Sequence, residues 1–208
     1  MARPNPDLTL KTQRAFAEGR FAACLKAARA AIKANGAQPV LLTLAGLSCA
    51  NLGQHSEALR FFTQLVKTSP NDPAARQNRI QALLSTGDTK RALTEVEAAL
   101  ARWPDMPALL RLRINACLAA EDLAAARTAV DAAISVTPQD AVLHGLRAQI
   151  ALDNRDNAAA LDSLETAVTL APNNPDLRLQ YAEYLLEHAN PDQAGDQIET
   201  GLQAFPDH

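Results

Sequence analysis

Apolar and polar positions recur along the chain with a period of 34 residues. One series is mostly bulky: Ala28, Phe62, Val96, Val130, Leu164 and Ile198. A second is small throughout: Cys24, Ala58, Ala92, Ala126, Ala160 and Ala194. A third runs Ala31, Leu65, Ala99, Ala133, Ala167 and Gly201. Pro70, Pro104, Pro138, Pro172 and Pro206 keep the same spacing, and Gly19, Gly53 and Gly87, each followed by polar residues, mark turns in phase with them. No insertion or deletion breaks the register from Asn5 to His208, so six units are predicted, at 5–38, 39–72, 73–106, 107–140, 141–174 and 175–208. A fixed period of this length is the mark of stacked supersecondary units, each burying its apolar face only against its neighbours. Proline lacks the amide hydrogen and clashes with the preceding turn, so Pro70 and its equivalents end one unit and prepare the next. Asn-Asp-Pro at 71–73 and Asn-Asn-Pro at 173–175 supply capping side chains before a proline in the first helical turn.

Composition decides the type of element. The chain has 43 Ala and 30 Leu against five Phe, two Tyr, one Trp and eight Gly. Ala and Leu lose little side-chain entropy in a helix, whereas the β-branched and aromatic residues that favour strands are few. An all-α chain of closely spaced helices is expected; a β-sandwich, a disulfide scaffold and a collagen-like chain are excluded.

In the second unit Leu42, Gly46, Gly53, Ala58, Phe62 and Pro70 stand in the order of a known signature. The chain resembles the tetratricopeptide repeat (TPR) family. That resemblance implies a helix A, a short turn and an antiparallel helix B in each unit, and a right-handed α-solenoid of six such helix-turn-helix repeats. Small residues at Ala58 and Ala92 would let the two helices approach closely, and Phe62 and Leu164 would fill the gap toward the next helix. The chain departs from the family pattern at Lys11, Thr12 and Gly36 in the first unit. Glu121, Arg155 and Ala189 stand where the turn glycine is expected, which puts the local geometry of those turns in question. The large aromatic expected early in helix A is replaced by Leu8, Leu42, Arg76, Leu110, His144 and Arg178.

The resemblance also implies where function would lie. In the family the A helices line a concave face, and the second, fifth, ninth and twelfth positions of each commonly read a partner peptide. The ninth positions here are Gln13, Leu47, Gln81, Asn115, Gln149 and Glu183. Gln81, Asn115 and Gln149, joined by Gln77 and Arg111 from the fifth positions, form the expected peptide-binding groove. An amide both donates and accepts, which suits the backbone of an extended peptide. A second series, Arg79, Arg113 and Arg147, replaces the family's inward leucine. An arginine cannot be buried unpaired, so these are expected to pair with Glu95, Glu97, Asp131, Asp162 or Glu165. The alternative joins them with Arg76 and Arg111 as an anion-contacting strip for an acidic or phosphorylated segment. The carboxylate clamp of chaperone-cofactor family members is absent, because Thr9, Gln13, Leu44, Ala74 and Asn78 occupy its places.

Charge and reactive residues narrow the alternatives. Net charge is −3, without the basic balance of a nucleic-acid binder. Residues 1–38 are nevertheless basic and residues 175–208 acidic. Cys24, Cys49 and Cys117 form no CxxC, and an odd number fits a reducing compartment. Cys49 and Cys117 share one repeat position and read as small buried hydrophobes, and His144 as a packing substitute. His55, His144, His188 and His208 fall at unrelated positions, with no phosphate loop or HExxH motif nearby. No catalytic site, metal site or cofactor is expected. The reading is a non-enzymatic scaffold for a protein or peptide partner, cytoplasmic by default, without nucleic acid or membrane insertion. Two alternatives stay open. The last helix B is expected to present Ala194, Ile198 and Leu202 uncapped, so the alternatives are a non-catalytic N-terminal array of a longer bacterial enzyme, such as a sulfotransferase or glycosyltransferase, or a homo-oligomerising module that uses this end.

Overall fold

The computed structural model describes residues 6–188, 194–196 and 198–199. They form α1 (Pro6–Ala17), α2 (Phe21–Asn35), α3 (Pro39–Asn51), α4 (His55–Thr68), α5 (Pro73–Ser85), α6 (Thr89–Leu100), α7 (Pro107–Ala119), α8 (Leu123–Val136), α9 (Ala141–Asp153), α10 (Asn157–Leu170) and α11 (Pro175–His188). There is no strand among the described residues. The chain divides into two compact units, Met1–Pro104 with α1 to α6 and Asp105–His208 with α7 to α11. Within each, every helix packs on the next in sequence; α1 also touches α3, and α9 touches α11. Helices therefore pair as tandem hairpins, A helices being α1, α3, α5, α7, α9 and α11. The expected end at Leu202, with Ala189 and Pro206, lies outside the described residues.

The punctuation seen in the sequence works as predicted. Asp72 accepts from the Ala74 amide at 2.9 Å with Pro73 in the first turn of α5. Asn174 accepts from the amides of Asp176 and Leu177 ahead of α11. Asp88, Asp122, Asp140 and Asp156 cap α6, α8, α9 and α10 in the same way. Each cap satisfies an amide that the helix itself leaves without a partner.

The turns between helices A and B keep one conformation despite the change of residue. Gly19, Gly53 and Gly87 have φ of 69°, 71° and 77°, in the left-handed region that glycine enters freely. Glu121 and Arg155, at the equivalent positions, adopt φ of 57° and 58°. The packing of the two helices dictates the turn, and the non-glycine residues follow it with their Cβ atoms crowded.

Apart from Ile198, which is exposed, the described members of the predicted small and bulky series are in the core. Cys24, Ala58, Ala92, Ala126 and Ala160 are completely buried, as are Ala28, Val96 and Val130, with Phe62 and Leu164 almost so. Gly46 shows why the helices need small residues. A Cβ built there would stand 2.4 Å from Cε1 of Phe62, so the α4 ring lies directly on the α3 backbone.

Candidate binding surface

The sequence-predicted groove residues divide between the two units. Gln77 and Gln81 belong to α5 of the first; Arg111 and Asn115 of α7 and Gln149 of α9 belong to the second. Gln81, Arg111, Asn115 and Gln149 are exposed and Gln77 is half-buried. Polar A-helix positions thus face solvent while their neighbours one residue away, such as Ala82, Leu112, Ile114, Ala116, Ala148 and Ile150, are buried.

Not all five are free to receive a ligand. Arg111 is ion-paired with Asp140, the N-cap of α9. Gln149 donates from Nε2 to Asp153 at 3.3 Å, an exposed contact that a ligand can replace.

The arginine series is held by the protein itself. Arg79 donates from Nε to Glu95 at 2.7 Å, with both side chains mostly out of solvent. Arg147 donates to Asp162 at 3.0 Å and, from Nε, to Ser163 Oγ at 2.9 Å. Both bonds cross from helix A to the helix B that follows, so the arginine that replaces an inward leucine finds its carboxylate across the hairpin. Arg113 is half-buried in α7. The remaining member of the alternative strip, Arg76, donates from Nη2 to the carbonyl of Pro70 at 3.2 Å and lies over the Trp103 ring, 5.9 Å from its centroid.

That Arg76 contact belongs to a repeated device which the sequence reading missed. His144 places Nε2 2.9 Å from the carbonyl of Pro138, and Arg178 donates from Nε to that of Pro172 at 2.5 Å. All three sit at the same A-helix position, six residues after a repeat proline. Each satisfies a carbonyl left open where helix B ends. With Nε2 as the donor, His144 is the tautomer whose buried Nδ1 has no partner. The signal was present as a fixed spacing from the proline, but a backbone acceptor leaves no mark of its own in a sequence.

In the second unit α9 and α11 border a cleft of about 210 Å³, lined by Gln149 and Leu152 on α9, Leu164 on α10, and Gln180, Glu183, Tyr184, Glu187 and His188 on α11. Gly145 contributes to the close fit of the two helices: a Cβ there would lie 2.5 Å from Leu177 Cδ2. In the first unit a cleft of about 280 Å³ between α1 and α2 is lined by Lys11, Arg14 and Arg20 over a floor of Ala15, Ala23 and Ala27. Glu18 lies among them, and the Arg14 hydrogen bond, with help from Arg20, holds its carboxyl below the usual range.

The charge contrast noted at the chain ends extends to whole units. Residues 1–104 carry fourteen Lys and Arg against seven Asp and Glu; residues 105–208 carry six Arg, no Lys, and sixteen Asp and Glu. The first unit is therefore +7 and the second −10.

Cys24, Cys49 and Cys117 are buried thiols outside any disulfide. Burial, reinforced by Glu57 and opposed by Arg29, pushes the Cys49 thiol up to about 11, so it stays protonated at neutral pH and is a poor nucleophile. Among the described residues no cluster of His, Cys, Asp and Glu is placed to hold a metal ion, and no helix is long and apolar enough to cross a membrane.

Similarity to known proteins agrees with this architecture. Models of the tetratricopeptide repeat match residues 11–73, 50–101, 83–150 and 151–208. No curated protein sequence matches the chain. Among solved structures, a thermophilic TPR protein of Thermus thermophilus is 24% identical, with a TM-score of 0.63 over 82% of this chain and 93% of its own. MamA of Desulfovibrio magneticus, from its residue 41 to its end, is 22% identical, with a TM-score of 0.74 over 81% of this chain and 97% of that one. Cut9, in the Cut9–Hcn1 hetero-tetramer of the APC/C, is 13% identical, with a TM-score of 0.69 over 97% of this chain and 40% of its own. At these identities the structural likeness concerns the fold alone. With family models matching almost the whole length, a recurrent hairpin and the small-residue core in register, the chain belongs to the tetratricopeptide repeat family.

Proposed function

We propose that the chain is a non-catalytic protein-interaction scaffold, a single array over residues 5–208 that holds an extended partner segment against its A helices. The observation that carries this reading is the exposed amide Gln149 at the rim of the α9–α11 cleft. Asn115, exposed at the equivalent position of α7, adds a second amide of the same register. Such groups bind peptide backbone whatever its side chains, because each offers one donor pair and one acceptor. Internal pairing of Arg79, Arg111 and Arg147 favours this amide surface over the anion-contacting strip. Cut9, which shares the fold, is named as part of a hetero-tetramer, and association with another protein is the use proposed here as well.

A peptide-array screen with the whole chain tests the reading. Asn115→Ala and Gln149→Ala should together weaken the strongest hits at least about tenfold, a loss of roughly 1.4 kcal/mol. Thr128→Ala, on the exposed face of the B helix α8, should leave them unchanged. Hits sensitive to Thr128 and indifferent to Asn115 and Gln149 would refute an A-helix site.

A further inference from the structure

We infer that the α9–α11 face selects a partner segment carrying one lysine or arginine between two apolar side chains. This rests on the A-helix reading above and names the chemistry of its partner.

Three observations combine. First, Glu183 and Glu187 line the α9–α11 cleft beside Gln149, and no Lys or Arg lines it. The nearest cationic candidate, His188, stands 3.6 Å from Glu187 and is charged only when protonated. The unit has no lysine, and Arg111, Arg127 and Arg147 are already paired with Asp140, Asp156 and Asp162. Arg178 is turned to the Pro172 carbonyl. Second, Leu179 and Leu186 are 55% and 54% exposed. They flank Glu183 at spacings of four and three residues, which places all three on one face of α11. Third, Val142 of α9 is 58% exposed and stands seven residues from Gln149, which puts it on the same stripe of that helix. Large apolar side chains left in water at these spacings, around carboxylates in a cleft that no Lys or Arg lines, form an amphipathic surface with an acidic centre.

The dimensions suit an extended segment. Leu179 and Leu186 are separated by about 10 Å of helix rise. In a β-like peptide, alternate side chains share a face, and the first and fifth are about 13 Å apart. Leu-Ser-Lys-Ser-Leu therefore presents two apolar side chains to Leu179 and Leu186 and its ammonium to the cleft between them. The surrounding unit, at −10, attracts such a segment and repels an acidic or phosphorylated one.

The test uses the whole chain and fluorescein-labelled peptides containing Leu-Ser-Lys-Ser-Leu, with Glu or norleucine replacing the central Lys, read by fluorescence anisotropy. The Lys peptide should bind at least tenfold more tightly than either counterpart, and the preference should shrink at high salt, which screens the exposed carboxylates. Glu183→Gln with Glu187→Gln should abolish the preference, and Leu179→Ser should weaken all three peptides. All three positions are exposed, and circular dichroism verifies that the helices persist. Equal binding of the Lys and Glu peptides, or a Lys preference that survives the double Glu→Gln change, would overturn the inference. If array hits of another composition still depend on Asn115 and Gln149, the charge selection fails while the A-helix site stands. If hits depend on neither residue, both fail.

Discussion

Gly46→Ala should destabilise the first unit, although alanine is the better helix former. The change adds one methyl group in the middle of α3 and gains about 1 kcal/mol of helix propensity. The new Cβ would stand 2.4, 2.7 and 2.8 Å from three carbons of the Phe62 ring, where carbon atoms prefer about 3.5 to 4 Å. Phe62 is 2% exposed and sits in a cluster with Leu42, Ala45, Cys49, Ala58 and Leu65, so the ring has no free direction in which to recede. Overpacking of this sort costs about 1 to 3 kcal/mol, leaving a net loss of about 1 kcal/mol. The fifth repeat supplies the remedy. Its equivalent positions are Ala148 and Leu164, both buried in one cluster, so the volume removed from helix B is restored on helix A. Phe62→Leu alone should leave a void and cost about 1 to 2 kcal/mol. The double variant reproduces the fifth-repeat pair and should recover most of both losses, a coupling of about 1 to 2 kcal/mol. Urea unfolding followed through Trp103, the one tryptophan and a member of the same unit, reads the midpoints. Additive losses within about 0.5 kcal/mol would refute volume exchange between these positions.

Four further outcomes are expected. Glu121→Gly and Arg155→Gly should each raise stability by about 1 kcal/mol, because both residues hold positive φ in turns where glycine is unstrained; an unchanged or lower thermal midpoint would contradict this. Arg79→Leu should be destabilising, since it leaves Glu95 half-buried without its cation, whereas Arg79→Leu with Glu95→Leu should regain about 1 to 3 kcal/mol relative to that single variant in chemical denaturation. Asp122→Ala should cost about 1 kcal/mol through loss of the cap on the Ala125 amide. The Cys49 thiol is pushed up from the usual 9.0 to about 11, so its contribution to stability is complete below pH 9 and is lost as pH rises through 11; Cys49→Ala should flatten that part of the stability–pH curve.

Steric requirements that recur in every hairpin were legible because they constrain residue type at fixed intervals. Small side chains at Ala58, Ala92, Ala126 and Ala160 and proline after helix B are demands of packing and of the missing amide, and both register in composition. Turn geometry was less legible. Glu121 and Arg155 gave no hint of a left-handed backbone, yet the flanking helices impose one. Charge pairing was half legible. A buried arginine needs a carboxylate, but Arg79 and Arg147 each had several on offer; the hairpin crossing selected Glu95 and Asp162, 16 and 15 residues downstream. The Arg76, His144 and Arg178 bonds to proline carbonyls went unread because peptide acceptors are identical at every residue. Gln81, Asn115 and Gln149 are exposed and Gln77 is half-buried, whereas the occupation of Arg111 by Asp140 required the three-dimensional arrangement of α7 and the start of α9.

A partner segment seated on the A helices would perturb the backbone amides of those helices first. Backbone amide NMR of the ¹⁵N-labelled whole chain, titrated with the strongest array peptide, tests it residue by residue. Shift changes should concentrate on α7, α9 and α11, around Asn115, Gln149 and Glu183, with α8 and α10 little affected. Changes confined to α8 and α10, with Asn115, Gln149 and Glu183 silent, would contradict it.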